Sequence, residues 1–278
     1  FTGSNLTGAV FSGATLTGVD FSDCDMTRAN LNKASAQELA LDRAKLHDLL
    51  IIQSDLSGST GTGADLEKVR LIESNINDMQ LKQSRITDCQ ILTGSADGFK
   101  ATSSKLLRTM FVTLSMKGLD LSDSDLERIG FMEVKAPGMR AINGKWLSVG
   151  IMGASDLTGS RFDGLHATES SFNTAEMPEC CFLRASGTAC FFNACNLEAN
   201  DFRLSSFRNS LFGRSNFAGS DFFGANLFAA ALTGVDLRRC SMRAANLFAA
   251  DLLEAKLASC DFSGANLGMT LLEQPTHA

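Results

Sequence analysis

Every fifth residue of this chain is large and apolar. The series runs Phe1, Leu6, Phe11, Leu16, Phe21, Met26, Leu31 and on to Ile151, and 25 of its 31 positions are Leu, Phe, Ile, Met or Trp. It then slips by one residue and restarts at Leu157, and from there to Leu272 the residue is large and apolar at 22 of 24 positions. A helix repeats its apolar face at roughly 3.6 residues and a half-buried strand at roughly 2, so neither explains a period of five. A period held over the whole chain marks stacked repeats, each leaning on its neighbours for a core.

The residues around each centre follow rules of their own. Two positions earlier the residue is small, as at Ala9, Ala14, Cys24, Ala29, Ala44, Ser54, Ala64, Ser74 and Ser84. Immediately before the centre stands Asn or Asp in many copies, as in Ala29-Asn30-Leu31, Ala225-Asn226-Leu227 and Ala265-Asn266-Leu267. A twenty-residue period is superimposed: Phe162, Phe182, Phe202, Phe222 and Phe262 recur at that spacing, broken by Met242, and Phe172, Phe192 and Phe212 do the same. Coils stacked at strand spacing would pile these rings into ladders.

The pattern resembles the pentapeptide-repeat family, with consensus A-[DN]-[LF]-x-x, over essentially the whole chain. The resemblance implies an all-β fold, a right-handed quadrilateral parallel β-helix of four pentapeptides per coil and nearly 14 coils. Centre residues and the small residues two before them would face inward. We expect one solenoid over 1–272, in registers 1–151 and 157–272 joined by a one-residue slip at 152–156, with 273–278 as a tail.

Departures from the pattern conserve volume. The six weak centres of the first register are Ala36, Gly61, Ala96, Ala101, Ala136 and Ala141, all on two adjacent sides of the expected coil. There the normally small inward slot carries Leu39, Phe99, Leu119 or Met139, so large and small residues exchange places, as a close-packed interior requires. Seven of the eight cysteines (all but Cys181) sit in the small inward slot, where a free thiol serves as a small buried hydrophobe. Cys180, Cys181, Cys190 and Cys195 lack the spacing and the histidine partners of a metal site. We expect reduced thiols and no metal; Cys240 over Cys260 is the best-placed pair for a disulfide.

Little else suggests chemistry. The three histidines, His47, His166 and His277, fall on outward positions or in the tail, without a nucleophile or acid at recurrent spacing. Aspartates such as Asp20, Asp25, Asp55, Asp120, Asp125, Asp221, Asp236 and Asp261 stand where the repeat puts them, just before a centre. Gly61-Thr62-Gly63 precedes no helix that could cradle a phosphate. No enzyme and no cofactor is expected. The net charge of −6 is spread as −3 over residues 1–60, +1 over 61–151 and −4 over 152–278, which is no single-signed field for nucleic acid. No apolar run is long enough to span a bilayer.

Outward positions are where the repeat leaves choice. Following the centre on one side, the residues read Ser12, Asn32, Ile52, Ile72, Leu92, Val112, Met132, Met152, Asn173 and Asn193, with Leu50 and Met110 beside them. Six successive coils therefore show an apolar residue at one spot. It could be ordinary sheet surface, a face covered by a flanking part of the protein, or a docking face. A second candidate combines Phe223, Phe228 and Phe248 with Arg203, Arg208 and Arg243 in the same columns; Arg beside Phe suits an interface, though the slot also tolerates Phe. A third side carries Lys68, Arg85, Lys105, Arg108, Arg128 and Lys145 with Asp65, Asp88 and Asp125 interleaved, reading as a mixed solvated face or one for an anionic partner.

These features point to a non-enzymatic protein–protein interaction scaffold or adaptor. The chain opens on Phe1 inside a repeat, and we read it as the repeat part of a larger bacterial protein whose preceding region covers Phe1 and Phe11. Leu267, Met269, Leu271 and Leu272 offer an apolar end for a homodimer. The resemblance further implies a type VI secretion adaptor or an effector. Its alternative implication is a DNA mimic directed at gyrase, from which this chain departs by its length, its mild acidity and the lack of a C-terminal dimerisation helix. The expected location is the bacterial cytoplasm, or outside the cell for a secreted effector.

Overall fold

The computed structural model describes residues 1–272. Two compact units emerge, Phe1–Gly144 and Lys145–Ala278. Among the described residues there is no helix, and every pairing between coils is parallel. In the first unit the bridges Asn5↔Asp25, Val10↔Asn30, Thr15↔Ser35 and Asp20↔Ala40 each join residues 20 apart. Twenty residues therefore make one turn with four pairing columns: a four-sided parallel β-solenoid.

The five-residue unit satisfies its own backbone. The centre N–H donates to the coil above (Leu6 N to Asp25 O, 2.8 Å), and the residue before a centre donates to the coil below (Asp25 N to Ser4 O, 3.1 Å). The small residue closes a tight turn onto the previous centre (Ala9 N to Leu6 O, 3.0 Å). The corner residue between them takes a left-handed conformation, as at Asp23 (φ 59°) and Gly13 (φ 69°). Asp or Asn before the centre fixes this corner, because its Oδ1 accepts the N–H of the residue after the centre, as from Ser22 to Asp20 (2.8 Å) and Phe223 to Asp221 (2.9 Å).

Two sides of the first unit run extended instead, while sides led by Thr60, Gln80 and Lys100 keep the turn without an Asp or Asn. Leu50–Ile52, Arg70–Asn75, Gln90–Ser95, Met110–Ser115 and Gly130–Met132 form one sheet of the first unit. Lys45–His47, Asp65–Glu67, Arg85–Thr87, Lys105–Leu107 and Asp125–Glu127 form the other, with Asp65 and Asp125 carried along by their extended neighbours. Regular strands end at Arg208, and beyond it coils meet through isolated bridges. Fewer coils carry strands than the nearly 14 that the repeat counts, because tight turns joined by isolated bridges replace strand ladders at both ends.

In the second unit the pairing offset is 21 from Lys145 to His166 and from Gly150 to Ser171, and 20 again from Asp156 to Glu176. The extra residue lies between Gly150 and Asp156. Ser155 secures it, its Oγ donating to the Met152 carbonyl at 2.8 Å.

Two kinds of core result. In the second unit Phe162, Phe182, Phe202 and Phe222 stack at 4.8, 4.7 and 4.8 Å between centroids, and Phe172, Phe192 and Phe212 at 4.6 and 5.1 Å. The first unit is mainly aliphatic, and its side chains leave a narrow axial cavity of about 40 Å³ between Met26 and Phe111. Its walls are apolar, so it stays dry. The exchanged positions are inside: Phe99, Leu119 and Met139 are buried beside Ala96, Ala101, Ala136 and Ala141.

Candidate functional site

The groups that could do chemistry are committed to the fold. In the small inward slot, hydroxyls and thiols donate to the carbonyl of a centre 23 residues earlier, as Ser104 to Leu81 (2.9 Å), Cys195 to Phe172 (2.8 Å) and Cys240 to Phe217 (3.0 Å). Burial pushes the Cys180 and Cys195 thiols up to about 12 and those of Cys89 and Cys240 to about 11, so they stay protonated and poorly nucleophilic at neutral pH. Partial burial, together with a bond to Asp163, holds Cys181 at about 11. All eight cysteines are free.

Outward acids are held as well. Arg43 grips Asp23 at 2.7 and 2.6 Å, Arg108 grips Asp88 at 2.6 and 2.7 Å, and Thr27 bonds hold the Asp25 carboxyl down to about 2. His47 Nε2 lies 3.1 Å from Asp65, and His166 Nδ1 lies 2.6 Å from the Ser186 hydroxyl. His277 falls outside the described residues. Among those residues no three metal-ligating groups converge, and no helix is long and apolar enough to cross a membrane.

The apolar stripe is a continuous ladder. Ile52 pairs with Ile72, Ile72 with Leu92, Leu92 with Val112 and Val112 with Met132, all in one parallel sheet of the first unit. Leu50 and Met110 belong to the neighbouring column, separated by Arg70 and Gln90. Each of these side chains is half-buried by the rungs on either side. The stripe lies on an extended side, whose leading residues Leu50, Arg70, Gln90, Met110 and Gly130 include no Asp or Asn. Beyond it a polar column follows, in which Gln53 Nε2 donates to Glu73 at 2.8 Å. Met152 belongs to the second unit, exposed beside the extra residue.

The second candidate is brought together only in part. Arg208 lies over the Phe228 ring at 5.0 Å, and Phe228 stacks on Phe248 at 5.8 Å. Gly268 ends the column: a Cβ there would come within 2.9 Å of the Phe248 ring. Phe223 is 44% exposed in a separate column between Arg203 and Arg243, and its neighbours are turned to acids. Arg203 chelates Asp201 at 2.9 and 2.7 Å, and Arg243 approaches Asp261 at 3.8 Å. Phe191, Leu211 and Ala231 continue the apolar surface around the corner from Phe228, through Ala229 and Ala249. Comparing columns on adjoining sides of the repeat would have found them. Leu267, Met269, Leu271 and Leu272 are all exposed on the last described coil.

The inward groups are bonded into the fold, and the outward residues fall in patterned columns. The chain belongs to the pentapeptide-repeat family: the family model for pentapeptide repeats matches in eight copies, at residues 1–32, 41–78, 201–239, 225–264 and 239–274, together more than half of the chain. Most of the weak centres, from Ala96 to Gly187, fall in the unmatched stretch.

Among solved structures, the chain is similar to HetL, a pentapeptide repeat protein involved in heterocyst differentiation regulation from the cyanobacterium Nostoc sp. strain PCC 7120 (20% identity, 84% of this chain and 88% of that one, TM-score 0.32). A trypsin-treated variant of QnrB1, a plasmid-mediated fluoroquinolone resistance protein, matches at 14% identity over 88% of this chain and 91% of that one, with a TM-score of 0.41. Tailspike protein 3 of bacteriophage CBA120 matches in fold, with 12% identity over 96% of this chain and 53% of that one and a TM-score of 0.53. No curated protein matches this chain.

Proposed function

We propose that this chain is a non-enzymatic protein-interaction scaffold that docks a protein partner on the apolar stripe of its first unit. The pentapeptide-repeat fold fits such a scaffold, and the observation that carries the reading is the five-rung ladder from Ile52 to Met132. At strand spacing it is about 19 Å long, matching the anchor region of a modest interface. A polar column from Gln53 to Glu133 borders it on one side, as the rim of an interface requires.

The gyrase-directed alternative asks for a continuous acidic face. Here Asp23, Asp25, Asp88, Asp201 and Asp236 are each paired with Arg or Lys, which breaks such a face rung by rung. The finer reading, an adaptor or effector of a bacterial secretion system, rests on family resemblance alone.

The test is capture of partners by the chain, identified by mass spectrometry. Ile72→Glu combined with Val112→Glu should weaken capture at least about 30-fold, the loss of one hot spot of roughly 2 kcal/mol. Circular dichroism should still show a folded chain, because outward columns already carry charge. Asn32→Glu combined with Asn173→Glu should leave capture unchanged. Equal capture by both double variants would reduce the stripe to ordinary sheet surface, and recovery of gyrase would favour the alternative.

A further inference from the structure

The mixed basic side resolves, in three dimensions, into two kinds of cation. Lys68 pairs with Glu67 at 3.0 Å, Arg108 with Asp88 at 2.6 Å and Arg128 with Glu127 at 3.8 Å. Arg85 and Lys105 have no ion-pair partner among the described residues, and neither do Lys82 and Lys100 on the adjoining side of the same two coils. All four are exposed.

Their placement costs the fold something. Arg85 stands directly opposite Lys105 in the parallel ladder, an arrangement of like charges that is destabilising. Elsewhere in the same column the signs alternate, and Lys45 reaches Asp25 at 3.2 Å. Beside the pair lies a shallow polar groove of about 350 Å³, lined by Arg85, Lys105, Gln83, Ser103 and Gly63, with Asp65 at its edge. It is open because the corner column that carries Arg43 and Gln83 has only Gly63 between them.

We propose that this corner is a docking site for an acidic peptide segment, an extended stretch presenting two or more carboxylates. The extent of the patch argues for a short segment. Asp65 closes it on one side and Asp125 on the other, in the same ladder, and Asp120 and Asp123 stand on the adjoining side. Two coils of positive surface span about 10 Å, so a continuing phosphate backbone would run onto carboxylates at either end. The distribution argues for separate carboxylates over one compact phosphate. Lys82 and Lys100 lie on one side of the corner and Arg85 and Lys105 on the other, so carboxylates on alternate residues of an extended peptide, about 7 Å apart, can meet cations on both sides. Arg85 offers the fork that a carboxylate fits. The site is on a different side from the apolar stripe and does not depend on it.

The experiment titrates the whole chain with a fluorescent peptide of alternating Glu and Ser, with a Gln-and-Ser peptide as control, at low and at physiological salt. Saturable binding of the Glu peptide alone is expected, weaker as salt rises. Arg85→Ser with Lys105→Ser should weaken it about tenfold or more while the melting temperature holds or rises, and Lys82→Gln with Lys100→Gln should act the same way. Arg43→Ser with Lys45→Ser removes the same charge from paired positions and should change binding less than about threefold. Equal weakening by the paired and unpaired variants would overturn the proposal, leaving only net charge. So would absence of saturable binding, or tighter binding of inorganic phosphate or duplex DNA than of the Glu peptide.

Discussion

Phe207→Ala is expected to lower stability by about 3–5 kcal/mol, among the largest losses of any single substitution in this chain. The ring is fully buried and meets Phe182, Phe192, Phe202 and Phe212 edge-on at 6.0, 5.5, 5.7 and 6.1 Å. It therefore locks the two Phe ladders together. Below it in the same column lie Gly187 and Ala167, which have no bulk to move into the void. The two residues form a volume pair, since a Cβ on Gly187 would come within 2.4 Å of the Phe207 ring. Gly187→Ala should therefore cost about 1–3 kcal/mol by overpacking. Combined with Phe207→Leu it should cost less than the sum of the two, as coupled neighbours do. Urea unfolding of the three variants checks this, and strictly additive losses would show that the ring does not occupy the glycine's space.

Phe99→Ala should cost about as much, roughly 3–5 kcal/mol, for a different reason. Phe99 occupies a slot that holds Ser84, Cys89 and Gly94 on the other sides of its coil, and the neighbouring centres Ala96 and Ala101 are fully buried methyls. Truncation leaves three small residues around one space. That space would join the axial cavity, since Phe99 already forms part of its wall. Relaxation is limited because the backbone is held rung by rung, with Phe99 O accepting from Asp120 N at 3.0 Å. An unfolding midpoint unchanged within error would contradict the inward assignment of Phe99.

What the sequence discloses and what it conceals divide along the two faces of the backbone. Inward positions were legible because one geometric slot admits one volume. That is why the exchange of Phe99 with Ala101 could be expected before any coordinates. The Asp and Asn before each centre were legible as part of the repeat, but their work as corner-fixing acceptors needs the Oδ1 contacts. Outward positions were less legible because a long side chain chooses among several neighbours. Arg203 could have lain on Phe223; it chelates Asp201, two residues earlier, just as Arg238 chelates Asp236 at 2.9 and 2.6 Å. Arg208 has Ser206 at the equivalent position and turns to Phe228. The same choice separates Arg108, satisfied by Asp88, from Arg85, which has no such partner. The sequence shows the apolar stripe as a column, while its half-burial follows from the extended side on which it lies.

The docking claim is tested most directly by methionine oxidation with and without a captured partner, because the chain carries its own controls. Met110 and Met132 lie on or beside the stripe and are half-buried; Met269 lies far along the chain and is 75% exposed; Met26, Met116, Met177 and Met242 are fully buried. In the free protein Met269 should oxidise fastest, Met110 and Met132 more slowly, and the buried four hardly at all. In the complex Met110 and Met132 should become protected while Met269 continues to oxidise at its free rate. Protection of Met269 with Met110 and Met132 unchanged would place the partner elsewhere and contradict the account.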